Sequence, residues 1–351
     1  MKAKIFTFFL LLIGQMALNG QDEHFSQFFA IPIHMNPALT GAYDGTYRMT
    51  AIYRDQWNSA LESPYKTFAA GGDTRLDFDF GRLQTDDHFG LGLFFVSDRV
   101  SEFQASTNKI SGYMSYHKKF GDRTPSYLGA GFKFGVIQRN INYDNINFQD
   151  QFNQIDDFDQ PTSEVLPPNN IGAFDVSLGL NYYVKMQSGT RYYVGLAAHH
   201  LTQPNISYFN RLQNPNPALD LSQTLPSKYV FHVSMDQELK YRLHLQPRLI
   251  YQTQADYKQI DFGSNIEYTF KSQQSSLILG MWLTGIDDLD GFHVENITPL
   301  VGIRQGQFIF GFSYDVHLRD PFDATFGLNT FEFSIRFSGE YEESGAFCPT
   351  F

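Results

Sequence analysis

One cysteine in 351 residues excludes an intramolecular disulfide framework and any cysteine-rich zinc site. Basic side chains are scarce as well. Lys and Arg number 26 against 37 Asp and Glu, a formal net charge of −11 that argues against nucleic acid as a partner. Beyond residue 20 the chain has no apolar run of the roughly 18 residues that an α-helical membrane span needs. Catalytic signatures are missing too: there is no HExxH, no GxSxG elbow and no P-loop. Gly129-Ala130-Gly131 lies inside an alternating segment rather than at a strand-to-helix turn, so it is no dinucleotide fingerprint. Glycines on an inward face let strands bend or a lumen fill. The residues point to no enzyme and no cofactor.

What the sequence does have is aromatic and alternating. Aromatics reach 16%, with 35 Phe and 20 Tyr, while charged residues make up only 18%, which excludes a disordered chain. The chain opens with Lys2 and Lys4, followed by the apolar stretch Ile5 to Leu18 and the small residue Gly20. That order is a secretory leader, expected to span residues 1–20 with cleavage after Gly20, and it sends the mature protein out of the cytoplasm.

Period-2 alternation then runs through the sequence, as expected for strands with two unlike faces. Phe331, Phe333, Ile335 and Phe337 oppose Glu332, Ser334 and Arg336. Phe174, Val176, Leu178, Leu180 and Tyr182 oppose Asp175, Ser177, Gly179 and Asn181. Segments of this kind predict fourteen strands, near 47–57, 66–79, 88–98, 107–120, 127–139, 172–185 and 190–201, then 227–238, 241–253, 258–270, 275–285, 293–304, 306–317 and 328–337. Most run about 10–14 residues, long enough for the roughly 9–11 that a tilted strand needs to cross a bilayer and longer than the globular mode of about 5–6. Several connections are short, whereas 140–171 and 202–226 are long and rich in Asn, Asp and Pro. Short turns at one end and long loops at the other describe a closed, antiparallel transmembrane β-barrel. Closure removes edges whose N–H and C=O groups would find no water in lipid. Tyr47, Tyr127, Tyr192, Tyr229, Tyr251 and Tyr314, near strand ends, read as interfacial girdles. The alternative, a secreted soluble β-protein, calls for shorter strands or a blade-sized repeat.

The barrel is expected over 47–338, preceded by a non-periodic segment over 21–46. That segment carries Phe25-Ser26-Gln27 and Asn36-Pro37-Ala38-Leu39-Thr40-Gly41, and its aromatics favour packing inside the barrel or against its mouth, as a plug. In the first strand, Arg54 has a possible partner in Asp55; facing the lumen it needs a carboxylate, because an unpaired buried charge is costly. A tail over 339–351 ends with Cys348, Pro349, Thr350 and Phe351, a candidate docking peptide. The pair His199-His200 is a poor metal site, since adjacent strand residues point to opposite faces. The acidic clusters Asp156-Asp157-Phe158-Asp159 and Asp287-Asp288-Leu289-Asp290 read as solvated loops.

Phe25-Ser26-Gln27, Asn36-Pro37-Ala38-Leu39-Thr40-Gly41 and Tyr53-Arg54-Asp55-Gln56-Trp57 resemble the opening signature of the PorP/SprF family. Tyr193 to Ala197 with His200-Leu201, Gly311-Phe312-Ser313-Tyr314-Asp315-Val316, Phe331-Glu332-Phe333 and Cys348-Pro349 extend the resemblance along the chain. The resemblance implies an outer-membrane barrel of the fatty-acid-transporter-like, fourteen-stranded type, working with the Bacteroidetes type IX secretion system. It implies as partners a large secreted surface adhesin bearing a type IX C-terminal signal, as in gliding motility, and further type IX components, within a lipid bilayer. It transfers no catalytic residue. Phe25, Ser26, Gln27, Asn36, Pro37, Thr40, Gly41, Tyr53, Arg54, Trp57, Tyr314, Asp315, Cys348, Pro349 and Phe351 are therefore candidates for partner binding or for structure. The competing function is an outer-membrane channel for a small hydrophobic solute.

Overall fold

The computed structural model describes residues 22–57, 64–77, 87–100, 105–121, 124–143, 146–153, 155, 157–164, 166–208, 223–239, 242–271, 275–288, 291–318 and 329–340. The expected leader over 1–20 and the tail residues Cys348, Pro349 and Phe351 lie outside the described residues. The strands are β1 (Tyr47–Gln56), β2 (Tyr65–Asp77), β3 (His88–Val100), β4 (Ala105–Phe120), β5 (Ser126–Asn140), β6 (Asn170–Lys185) and β7 (Arg191–His199). The second half contributes β8 (Lys228–Glu238), β9 (Leu243–Gln254), β10 (Tyr257–Thr269), β11 (Ser275–Asp288), β12 (Gly291–Gln305), β13 (Phe308–His317) and β14 (Asn329–Gly339).

Each strand pairs antiparallel with its neighbours in sequence, and β1 pairs with β14, which closes the barrel. At that seam Arg54 lies opposite Glu332 and Tyr53 opposite Phe333. The fourteen-stranded antiparallel barrel expected from the alternation is the fold observed. β5, β7 and β13 finish, and β6, β8 and β14 begin, at one end, here the long-loop end; Thr46 and the last residues of β14 sit at the other, short-turn end.

Burial is inverted relative to a soluble protein. Leu93, Ile110, Leu128, Phe174, Leu180, Leu196, Phe262 and Phe312 are exposed on the outer face. Asp175, Ser177, Asn181, Asn265, Thr298, Ser313, Asp315 and Glu332 are buried on the inner face. A bilayer solvates the first set, and the second must be satisfied inside.

Three local expectations are corrected. Tyr127 belongs to the inner face, two residues before buried Gly129, and its ring meets His88 edge-on at 5.4 Å. His199 and His200 are not split across the wall, because β7 ends at His199 and His200 turns left-handed (φ 55°); both are buried. Asp287 and Asp288 belong to β11 rather than to a loop, since pairing continues to Asp288 opposite Gly291, and Asp287 bonds Lys258 Nζ at 2.8 Å.

Candidate functional site

The lumen is the one place where inward polar residues from distant strands converge, and residues 22–46 occupy it. Asp22 lies near the long-loop end, where its backbone N–H donates to Gln254 Oε1 at 3.1 Å. The chain then passes through a 3₁₀ turn (Phe28–Ala30), a single helical turn α1 (Pro32–Met35) and a second 3₁₀ turn (Pro37–Leu39) before entering β1 at the short-turn end. Pro32 and Pro37 stand at the first position of their turns, where a missing N–H costs nothing.

Its apolar side chains pack on two sides. Phe25, Ile31 and Ile33 join Ile52, Ala69, Phe94, Val96 and Tyr113. Phe28 joins Val230, Ile250, Ile278, Trp282 and Leu300, with Trp282 edge-on to Phe28 at 5.3 Å and stacked on Phe29 at 5.1 Å.

Polar contacts set the register of this segment. Glu332, fully buried, accepts from the backbone N–H groups of Ser26 and Gln27, both at 2.8 Å. Ser26 Oγ donates to Asp315 Oδ2 at 2.8 Å. The Gln27 side chain donates to Ser313 Oγ (2.9 Å) and accepts from Ser334 Oγ (2.7 Å). The carboxylate that Arg54 faces is Glu332, at 3.6 Å across the seam, and its guanidinium also donates to the His24 carbonyl. At the long-loop end Lys109 Nζ bonds Asp22 (2.7 Å) and Glu23 (2.6 Å), and His200 lies between Asp22 (2.5 Å) and Asp175 (3.0 Å).

The second motif sits in a notch of glycines. Asn36 Oδ1 accepts from Ala38 N–H at 2.9 Å, and its Nδ2 donates to the carbonyls of Leu180 (3.0 Å) and Leu196 (3.3 Å) and lies 3.1 Å from His232 Nε2. A Cβ at Gly179 would lie 2.0 Å from Asn36 Oδ1, and one at Gly131 would lie 2.3 Å from Ala38 N. Only glycine admits so close an approach. Thr40 O accepts from Ser115 Oγ (2.7 Å) and lies 2.8 Å from His117 Nε2. Gly41, at φ +71°, donates to Asp73, which also holds Arg48 in a two-point pair at 2.8 and 2.9 Å.

Phe25, Ser26, Gln27, Asn36, Pro37, Thr40, Gly41, Arg54 and Asp315 therefore meet inside the barrel. Tyr53 and Tyr314 point outward with the lipid-facing set. Tyr53 donates to Asp55 at 3.2 Å. Trp57 stands at the long-loop rim with φ 62°, its ring edge-on to Tyr65 at 5.4 Å. Sequence reasoning missed Glu332, Asp73, Lys109, His117 and His200 as partners of the segment. It also missed five inward arginines, Arg48, Arg191, Arg248, Arg304 and Arg336, around a cavity of about 500 Å³ at the short-turn end. Among the described residues no group of three or more His, Cys, Asp or Glu is arranged to hold a metal ion.

Solved structures similar in fold include the toluene transporter TodX of Pseudomonas putida (8% identity, 92% of this chain and 96% of that chain, TM-score 0.48). A FadL homologue of Pseudomonas aeruginosa matches at 11% identity over 86% of this chain and 92% of that one, with TM-score 0.46. CdiB from Escherichia coli matches at 10% identity and TM-score 0.44; 82% of this chain is covered, spanning 63% of CdiB. No curated protein matches the sequence. The family model described as "Type IX secretion system membrane protein PorP/SprF" matches residues 17–337. The chain, a membrane β-barrel with an occupied lumen, belongs to the PorP/SprF family of type IX secretion system membrane proteins.

Proposed function

We propose that this barrel is a non-enzymatic outer-membrane component of the type IX system that binds a secreted cell-surface adhesin. It engages the adhesin's C-terminal signal domain and supports its export or anchoring, including display for gliding motility. The observation that carries the reading is the occupied lumen. A segment held by buried polar contacts from several strands takes up lumen space that an exported chain would need, which supports a protein partner being met at the barrel's ends. In bacterial outer-membrane barrels the long loops face outward and the short turns face the periplasm. At the long-loop end, the connection between β5 and β6 exposes Phe152, Ile155, Phe158 and Leu166, with Ile155 at 83%. Apolar side chains grouped at an exposed rim suit a protein interface.

Deleting the gene should abolish surface display of one or a few large proteins, and unchanged surface proteins would sink the reading. A Phe152→Ser, Ile155→Ser, Phe158→Ser variant should insert normally but recover less adhesin in a mild-detergent pull-down. The competing solute channel requires solute-dependent conductance from the reconstituted barrel; the occupied lumen predicts none.

A further inference from the structure

The cavity of about 500 Å³ at the short-turn end is charged in an uneven way. Of its five arginines, three have carboxylate partners. Arg48 pairs with Asp73, Arg191 with Asp44, and Arg304 makes a two-point pair with Glu267 at 2.6 and 2.9 Å. Asp236, also in the wall, faces His244 at 3.6 Å. Arg248 and Arg336 pair with no carboxylate among the described residues, although both line the cavity. Arg248 Nη2 donates to Gln246 Oε1 at 3.0 Å, and its guanidinium lies over the Phe29 ring at 4.9 Å. Its Nη1 is buried with no hydrogen-bond partner among the described residues.

A guanidinium nitrogen shut away from acceptors is costly, and most buried polar atoms have one. Two arginine forks left over beside three compensated ones are an oxyanion-binding arrangement, because the planar fork matches carboxylate and phosphate oxygens. The wall beside them is apolar: Phe28, Phe29 and Pro32 of the lumen segment form it. The volume falls within the range of about 300–1,000 Å³ typical of small-molecule sites.

We propose that this vestibule binds a small organic oxyanion, a carboxylate or a phosphate, that carries an apolar group. Arg248 and Arg336 hold the anionic head, and the Phe28–Phe29 surface takes the apolar body. The site lies at the opposite end from the loops assigned to the adhesin, and the proposal does not depend on that assignment.

Trp282 stacks on Phe29 and meets Phe28 edge-on, so its fluorescence reports occupancy of the wall. With Trp57→Phe, Trp282 is the remaining one of the two tryptophans. The full chain, in nanodiscs of zwitterionic lipid, would be titrated with 4-phenylbutyrate, phenyl phosphate, 4-phenylbutanol and inorganic phosphate, with calorimetry alongside. Saturable binding of one or both aryl anions is expected, with the alcohol and inorganic phosphate weaker by about tenfold or more, as loss of a charge-assisted or apolar contact dictates. Which aryl anion binds tighter identifies the head group. The Arg248→Gln, Arg336→Gln double variant should lose about tenfold or more in affinity while retaining its heat-modifiable gel mobility and unliganded Trp282 spectrum. Equal binding of the alcohol, equal binding of inorganic phosphate, unchanged affinity in the double variant, or no saturable binding by either aryl anion would each overturn the proposal.

Discussion

Replacing Asn36 with Ala tests whether the lumen segment is held by its polar register. Asn36 is fully buried and its amide makes contacts in both directions: Oδ1 takes the Ala38 N–H, and Nδ2 reaches two carbonyls on neighbouring strands and the His232 ring. Each hydrogen bond contributes roughly 1 kcal/mol net, and an orphaned buried N–H adds about 1–3 kcal/mol of desolvation. Three such bonds together with the orphaned Ala38 N–H sum to about 4–6 kcal/mol. At about 1.4 kcal/mol per factor of ten, local opening of Asn36–Gly41 becomes about a thousandfold or more as frequent. Hydrogen–deuterium exchange of the reconstituted barrel reads this directly. Amides of residues 38–41 should exchange faster in N36A, while those of β6 and β7 stay protected. N36D retains the acceptor for Ala38 but sets an oxygen against the Leu180 and Leu196 carbonyls, so it should loosen the turn at least as much. Wild-type exchange in both variants, or equal loss of protection across β6 and β7, would refute the reasoning.

Three further outcomes follow from the same contacts. Glu332→Ala removes the acceptor of two backbone N–H groups and leaves Arg54 without its facing carboxylate, so the barrel should lose roughly 3–5 kcal/mol, with Glu332→Gln losing less; an unchanged urea midpoint in both would contradict the assignment. Gly179→Val drives a side chain into Asn36 and should cost on the order of 1–3 kcal/mol and expose the segment to protease. Gly172→Val, on the same strand with no atom within 4 Å of its added Cβ, should be silent, so equal proteolysis of the two would sink the notch. The third concerns pH. Burial alone would depress the His200 imidazolium, but the Asp22 and Asp175 carboxylates reverse this and hold its pKa above the ordinary value. A raised folded pKa gives stabilisation that is full below the unfolded value and lost as pH rises through the folded one. Docking of Asp22 should thus be tightest in mild acid and weaken above neutrality, and His200→Gln should remove that dependence; a pH-independent wild-type exchange profile would exclude it.

The barrel was legible because lipid outside and polar groups inside force every strand to alternate. Phe331 to Phe337 carry that pattern without interruption, and β14 lies where the pattern places it. Strand ends were less legible. Alternation stops having meaning where the backbone leaves the sheet, which is why His200 turned inward beside His199 and Asp288 stayed in the ladder. The lumen contacts were not legible at all, since they depend on closure. Ser26 and Glu332 are 306 positions apart and meet only because β14 joins β1. The inward arginines left a usable signal, however: Arg336 falls on the polar side of its alternating strand. Arg248 and Arg304, in β9 and β12, join it around one lumen.

Charge within the lumen explains why its occupant behaves as a fixed part of the wall. The segment's apolar side chains fill two clusters, but apolar burial is non-directional and sets a register less sharply than matched hydrogen bonds do. Buried polar groups discriminate, because a shifted register leaves donors and acceptors unmatched. At the long-loop half, Lys109, Arg54 and His200 find their matches partly in the segment itself, through Asp22, Glu23 and the His24 carbonyl. The segment therefore supplies part of the countercharge of that half. At the short-turn half the segment supplies Asp44 to Arg191 and the Leu39 carbonyl to Arg48, but no carboxylate to Arg248 or Arg336. Among the described residues, the segment thus brings acidic groups to the cations Lys109 and His200 at the long-loop half, and brings none to two arginines that line the cavity at the short-turn half.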